Sequence, residues 1–191
     1  MFSIKFGWWK TVCTAIALSA AMGIGSPAQT FTTLVSFDGS NGSSPSFVSL
    51  IQGTDGNLYG TTAYGGARGG GTVFGMTPSG TLTMLYSFCA RTDCSDGRVP
   101  LAGVVLGTDG NFYGTTQAGG ASHYGTVFKI TPGGALITLH SFDRTDGAYP
   151  NAPLIQATNG SFYGTTEADG ANGYGTVFDH FGRHADHVAQ L

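Results

Sequence analysis

The sequence predicts an all-β fold of the β-propeller type, about three blades of four short antiparallel strands each, and an incomplete propeller on that count. Three observations lead there. A long block recurs with the same internal spacing. Each block carries Asp-Gly, Asn-Gly and Pro-x-Gly turn signals between short runs rich in Val, Phe, Tyr and Thr. No helical periodicity appears beyond the first 28 residues.

The repeat comes first, because a fixed period changes the whole fold assignment. Residues 50–62 (LIQGTDGNLYGTT) recur as 104–116 (VVLGTDGNFYGTT) and again as 154–166 (LIQATNGSFYGTT). A Gly-rich stretch follows each, and then Gly-Thr-Val-Phe at 71–74, 125–128 and 175–178. Two copies continue through Thr-Pro-x-Gly to 82–88 (LTMLYSF) and 136–142 (LITLHSF), and a partial copy, 31–37 (FTTLVSF), precedes them all. Asp55 to Phe88 and Asp109 to Phe142 both span 33 residues. The connection from each closing Phe to the next block varies instead, being 13, 16 and 12 residues. A rigid block thus alternates with a length-tolerant loop.

Each element has its reason. Within the first block the strands are 50–52, 58–62, 72–77 and 82–88. Asp55-Gly56-Asn57 joins the first two, with 109–111 and 159–161 as its equivalents, because a tight hairpin needs a residue of positive φ. A Pro-x-Gly turn joins the last two. Four antiparallel strands in roughly 50 residues match one propeller blade. A β-sandwich gives no reason for a strict repeat. The repeats are 50–88, 104–142 and 154–178, within a domain of residues 29–178. The phase suits ring closure, with 31–37 as the fourth strand of the last block. Residues 179–191 (DHFGRHADHVAQL) break the register, and a truncated or frameshifted end is the preferred reading.

The first 28 residues read as a signal peptide. Lys5 and Lys10 precede the apolar run 11–24, and Ser26-Pro27-Ala28 offers small-x-small cleavage. An uncleaved anchor is the competing reading. The expected location is secreted or cell surface, with no membrane segment in the mature chain. Only eight Lys and Arg, with a net charge of −3, exclude a basic surface for nucleic acid. Cys13 leaves with the signal. Cys89 and Cys94 share the longest loop, and a local disulfide is preferred there over a metal site, which would need further ligands nearby.

The string Tyr-Gly-Thr-Thr, Gly-rich stretch, Gly-Thr-Val-Phe, Thr-Pro-x-Gly, Leu-x-x-Leu-x-Ser-Phe resembles the tandem GloVer (Gloeobacter–Verrucomicrobia type) repeat of bacterial exported proteins. The resemblance covers residues 31–178. It implies export and a repeat architecture, and it transfers no catalytic residue.

Candidate sites are sparse. The Gly-rich stretches 63–71, 118–125 and 168–175 lack the Lys-Ser/Thr ending and the helix of a phosphate loop. Asp38-Gly39-Ser40-Asn41 lacks the ligand set of a calcium loop. His180, His184 and His187 would share a face only on a helix. Glu167 is the only Glu, which excludes a two-Glu acid/base pair. No cofactor, metal site or catalytic residue is expected. Tyr59, Tyr113 and Tyr163 recur at one register and are the candidate ligand-binding aromatics, against a default role in packing. The variable loops 38–49, 89–103 and 143–153 are better recognition candidates, since loops change freely on a rigid frame.

The expectation is an exported, non-enzymatic propeller that binds an extracellular glycan or protein. The alternatives are a propeller enzyme acting on carbohydrates or lactones, and a fragment or self-assembling subunit of a larger propeller, hence a homo-oligomer. If the end is frameshifted, translating the DNA beyond Phe178 in all frames should recover Thr-Pro-x-Gly and Leu-x-x-Leu-x-Ser-Phe. A stop in every frame before that pattern would show the short form to be real.

Overall fold

The computed structural model describes residues 30–45 and 49–181. The segment read as a signal peptide, residues 1–28, lies outside them, as do residues 182–191. The chain divides into two compact units, Met1–Thr32 and Thr33–Leu191. Of the first, only Thr30, Phe31 and Thr32 are described, without regular structure.

In the second unit, β1 (Ile51–Gln52), β2 (Leu58–Thr62), β3 (Thr72–Met76) and β4 (Leu82–Ser87) pair antiparallel in sequential order. A second sheet repeats this with β5 (Val105–Leu106), β6 (Phe112–Thr116), β7 (Thr126–Ile130) and β8 (Leu136–Ser141). The third holds β9 (Ile155–Gln156), β10 (Ser161–Thr165) and β11 (Val177–Phe181). These are blades of β-propeller type. Among the described residues no helix is long and apolar enough to cross a membrane.

Local chemistry fixes the strand ends. The Gly53 N–H donates to Asn57 O at 2.9 Å, and the Gly56 N–H to Gly53 O at 3.1 Å. The loop therefore has three residues rather than the tightest two, and only Gly56 takes a positive φ, +81°. Asp55 holds the turn by accepting from the Asn57 N–H at 3.1 Å. At the other hairpin Thr77 O accepts from the Gly80 N–H, and Thr77 Oγ1 from the Thr81 N–H. A bulge opposite Val73/Phe74, and again opposite Val127/Phe128, leaves Leu85 and Leu139 without a cross-strand partner; both pack against the core.

The Gly of Tyr-Gly-Thr-Thr lies opposite the Phe of Gly-Thr-Val-Phe: Gly60 faces Phe74, Gly114 faces Phe128 and Gly164 faces Phe178. A Cβ on Gly114 would stand 2.6 Å from Phe128 Cζ, so only hydrogen leaves room for the ring. The core then runs from sheet to sheet. Tyr59 lies on Phe112 with ring centroids 4.2 Å apart, and Tyr113 on Phe162 at 4.0 Å. Phe88 meets Phe128 edge-on at 5.2 Å, and Phe142 meets Phe178 at 5.1 Å. Phe88, Phe112, Phe128, Phe142 and Phe162 are all fully buried.

Two expectations need correction. Residues 33–37 form no strand and complete no sheet; Phe37 instead packs edge-on against Phe74 at 5.2 Å, as Phe88 does against Phe128. That segment fills the place of a preceding blade's last strand because its Phe is in the same register as Phe88. The last strand also runs past Phe178: Asp179, His180 and Phe181 pair with Tyr163, Phe162 and Ser161. Backbone pairing to a formed β10 needs no Val-x-Phe pattern, so the register continues three residues into the stretch read as tail. Its remainder lies outside the described residues.

Gly114→Ala should destabilise the protein by about 1–3 kcal/mol through overpacking against Phe128, although alanine normally improves a strand. Denaturant unfolding checks this, and an unchanged midpoint would refute the packing argument.

Candidate functional site

Thr62 and Ser87 flank Thr72 at one end of the first sheet, so its Gly-rich connection and the loop after β4 leave from that same end. Each loop then docks on the Gly-rich connection of the next sheet, through backbone bridges Ser43–Tyr64, Arg98–Ala118 and Ala148–Ala168. Each variable loop, as far as it is described, thus lies against the Gly-rich connection that follows it in the chain.

A buried carboxylate organises the middle loop. Asp96, 0% exposed, accepts from the Tyr86 hydroxyl at 2.8 Å and from the Ala90 N–H at 2.9 Å. In the next copy Asp146 does the same work, bonding His140 Nε2 at 2.6 Å and the Asp143 N–H at 3.0 Å. Burial, and then the hydrogen bond to Asp96, push the Tyr86 hydroxyl up to about 12. Phe37 to Gly42 and Phe142 to Gly147 are each five positions, but Phe88 to Gly97 is nine. The four extra residues carry a 3₁₀ turn, Thr92–Cys94, and the disulfide between Cys89 and Cys94 closes them into a short ring.

Beside that ring lies a cavity of about 530 Å³. Arg68, Gly70 and Tyr64 of the first Gly-rich connection form one wall; Arg91, Asp93, Arg98 and Val99 of the disulfide loop form the other. The next copy shows why it is open. There Tyr124 replaces Gly70 and Tyr149 replaces Val99, the same backbone bond (Tyr149 N–H to Tyr124 O, 2.9 Å) holds the two segments, and the tyrosine rings meet at 5.9 Å. Two small residues in place of two tyrosines leave the first junction unfilled. Gly70 also cannot be enlarged without cost, since a Cβ would stand 2.8 Å from Phe88 O.

The charges follow the cavity. Among the described residues there are five Lys or Arg. Lys129 pairs with Asp109 at 2.8 Å, and Arg144 pairs with Asp169 at 3.2 Å while lying over the Tyr124 ring. The other three, Arg68, Arg91 and Arg98, are exposed, form no ion pair with a described residue, and all line this one cavity. The Lys129 ammonium, with Asn111 and Tyr113, outweighs the effect of partial burial and holds the Asp109 carboxyl far below its ordinary value, so that pair is committed to the fold.

The candidate tyrosines lie elsewhere. Tyr59 and Tyr113 are 4% and 2% exposed, their rings covered by Phe112 and Phe162 and their hydroxyls donated to Asp55 and Asp109. Tyr163 is half-buried, with its hydroxyl 3.3 Å from Asn159 Nδ2. None of the three lines the cavity. Among the described residues no cluster of His, Cys, Asp and Glu could hold a metal. His180 lies in β11, so the helical face supposed for it with His184 and His187 does not begin there; the other two lie outside the described residues. Sequence reading missed the arginines and the Gly70–Val99 pair. The available signal was a comparison of copies, which sets Gly70 against Tyr124 and Val99 against Tyr149.

The Gloeobacter/Verrucomicrobia repeat matches residues 21–180. No curated protein matches. Solved structures similar to this chain include virginiamycin B lyase from Staphylococcus aureus, at 13% identity and a TM-score of 0.43, covering 68% of this chain and 39% of that one. A streptogramin B lyase aligns at 16% identity and a TM-score of 0.42, covering 69% and 39%. The chain thus spans under half the length of these proteins, and the lyase activity is theirs.

Tyr86 generates a pH test of the loop. Its hydroxyl stays protonated in the fold to about pH 12, whereas in the unfolded chain it ionises near pH 10. Its contribution is therefore complete below about pH 10 and lost as pH rises towards about 12. Tyr86→Phe should flatten that alkaline decline in thermal midpoint; an unaltered decline would remove Tyr86 as its source.

Proposed function

The chain belongs to the Gloeobacter/Verrucomicrobia repeat family, and on that footing we propose that it is an exported, non-enzymatic recognition module. Export is carried by the leader read in residues 1–28. Recognition occurs at the loop end of the blades, in the cavity between the first Gly-rich connection and the disulfide loop.

One observation carries this reading. At two junctions built on the same plan, one is filled by Tyr124 and Tyr149 and the other is left open by Gly70 and Val99. A volume of about 530 Å³ suits a small ligand or one residue of a polymer. The site also sits on loops whose length varies from copy to copy, while the strands beneath keep their spacing. The disulfide supports the same reading, since it holds the extra residues of the rim and suits an oxidising compartment. The rim's aromatic, Tyr64, is half exposed and offers a ring face to a sugar or peptide group.

Val99→Tyr is the test. Val99 takes φ +58°, which a β-branched residue adopts with strain, and Tyr149 already takes +59° at the equivalent place. The substitution should therefore raise stability by up to about 1 kcal/mol while filling the cavity. On an array of extracellular glycans and peptides, the wild-type chain should bind a restricted set and the Val99→Tyr chain should lose it. Binding that survives a folded Val99→Tyr chain would place recognition elsewhere. Turnover of a bound glycan would replace the binding module with an enzyme.

A further inference from the structure

Resting on that reading of the cavity, we propose that its ligand is an anion, held through a carboxylate or sulfate group by Arg68, Arg91 and Arg98. The protein has few charges, 10% of its residues, and its net charge is −3. Random placement on such a surface would scatter five described cations among the more numerous acids. Instead, both described cations outside the cavity are ion-paired, to Asp109 and Asp169, and the three that line it pair with no described residue. Asp93 is the single acid on the rim, so the lining carries a net charge of +2.

The copies give the contrast a physical control. Ser122 and Asn172 stand where Arg68 stands, and Ala148 where Arg98 stands. Neither the turn nor the docking of the loop therefore requires arginine: Arg98 and Ala148 make the same backbone bridge, to Ala118 and Ala168. Two guanidiniums thus appear at positions where the scaffold works with small neutral residues, at the junction where the cavity is open. The third, Arg91, lies in the residues added to the loop, and its own N–H is held by Asp96 at 3.3 Å. The backbone that carries it is thereby fixed from a buried point.

Guanidinium is suited to this task. It stays charged at any physiological pH and presents a planar fork that matches the two oxygens of a carboxylate or sulfate. Three such groups around one opening repel one another, and an oxyanion among them relieves that repulsion. Because all three are exposed, the attraction is screened by salt, and affinity must fall as ionic strength rises.

Calorimetric titration of the folded chain tests this with four probes: galacturonic acid, galactose, galactose sulfate and inorganic sulfate. Galacturonic acid or galactose sulfate should bind and galactose should not; which of the two binds more tightly identifies the oxyanion. Raising salt from about 50 to about 500 mM should weaken the bound acid at least tenfold. Arg68→Gln and Arg98→Gln should each cost about tenfold in affinity, whereas Arg144→Gln, outside the cavity, should leave it unchanged. Equal binding of galactose and galacturonic acid, binding indifferent to Arg68→Gln and Arg98→Gln, or no binding of any acid would overturn the anion assignment. In the first two cases loss of binding in the Val99→Tyr chain would still uphold the cavity as the site, so the two ideas fail separately.

Discussion

The structure depends on one contact, the packing of an aromatic from each sheet against an aromatic of the next. Strands of two to six residues cannot hold a sheet of this size by hydrogen bonds alone. Each sheet gains its core from its neighbour: Tyr59 on Phe112, Tyr113 on Phe162, Phe88 on Phe128, Phe142 on Phe178. Such pairs contribute about 0.5–1.5 kcal/mol each beyond the area they bury. The same contact explains the Gly of Tyr-Gly-Thr-Thr, whose missing side chain admits the Phe ring opposite. It explains Phe37 as well, which covers Phe74 although its own segment pairs in no strand.

A scaffold set by repetition makes departures informative. Where two copies agree, as at the Asp55 and Asp109 turns, the residue serves the fold. Where they differ at a position with the same backbone, the fold does not decide the side chain. Val99 and Tyr149 share a φ near +60° and the same hydrogen bond, yet one opens a cavity and the other helps to fill it. Asp96 and Asp146 show the opposite case. The strand partner changes from Tyr86 to His140, while the carboxylate keeps its place before the loop's glycine and still accepts from a backbone N–H of its own loop, though a different one.

Charge is partitioned in the same manner. Lys129 and Arg144 are spent on Asp109 and Asp169, and both also lie over tyrosine rings of the frame. Arg68, Arg91 and Arg98 border the disulfide ring, where the longest loop interrupts the repeat. The described cations that form no ion pair with a described residue thus gather at the one place where the repeat is irregular.

By itself the sequence determined the class of the fold, the first block's strands to within a residue, and the turns, because period-2 patterns, Asp-Gly and Pro-Ser-Gly act over a few residues. It also marked the loops as the variable element. It did not determine which tyrosines would be free. Tyr59 and Tyr113 read as possible binding aromatics until a phenylalanine more than 45 positions along the chain was found against each ring. Nor could it place Phe37, since pattern alone cannot tell a strand from a segment that borrows the strand's Phe contact. Gly70 and Val99 lie 29 positions apart, and the arginines span 68 to 98. Only the docking of one loop against a Gly-rich turn brings them around one space. Sequence patterns record local conformation, whereas a cavity is set by what distant segments leave unfilled between them.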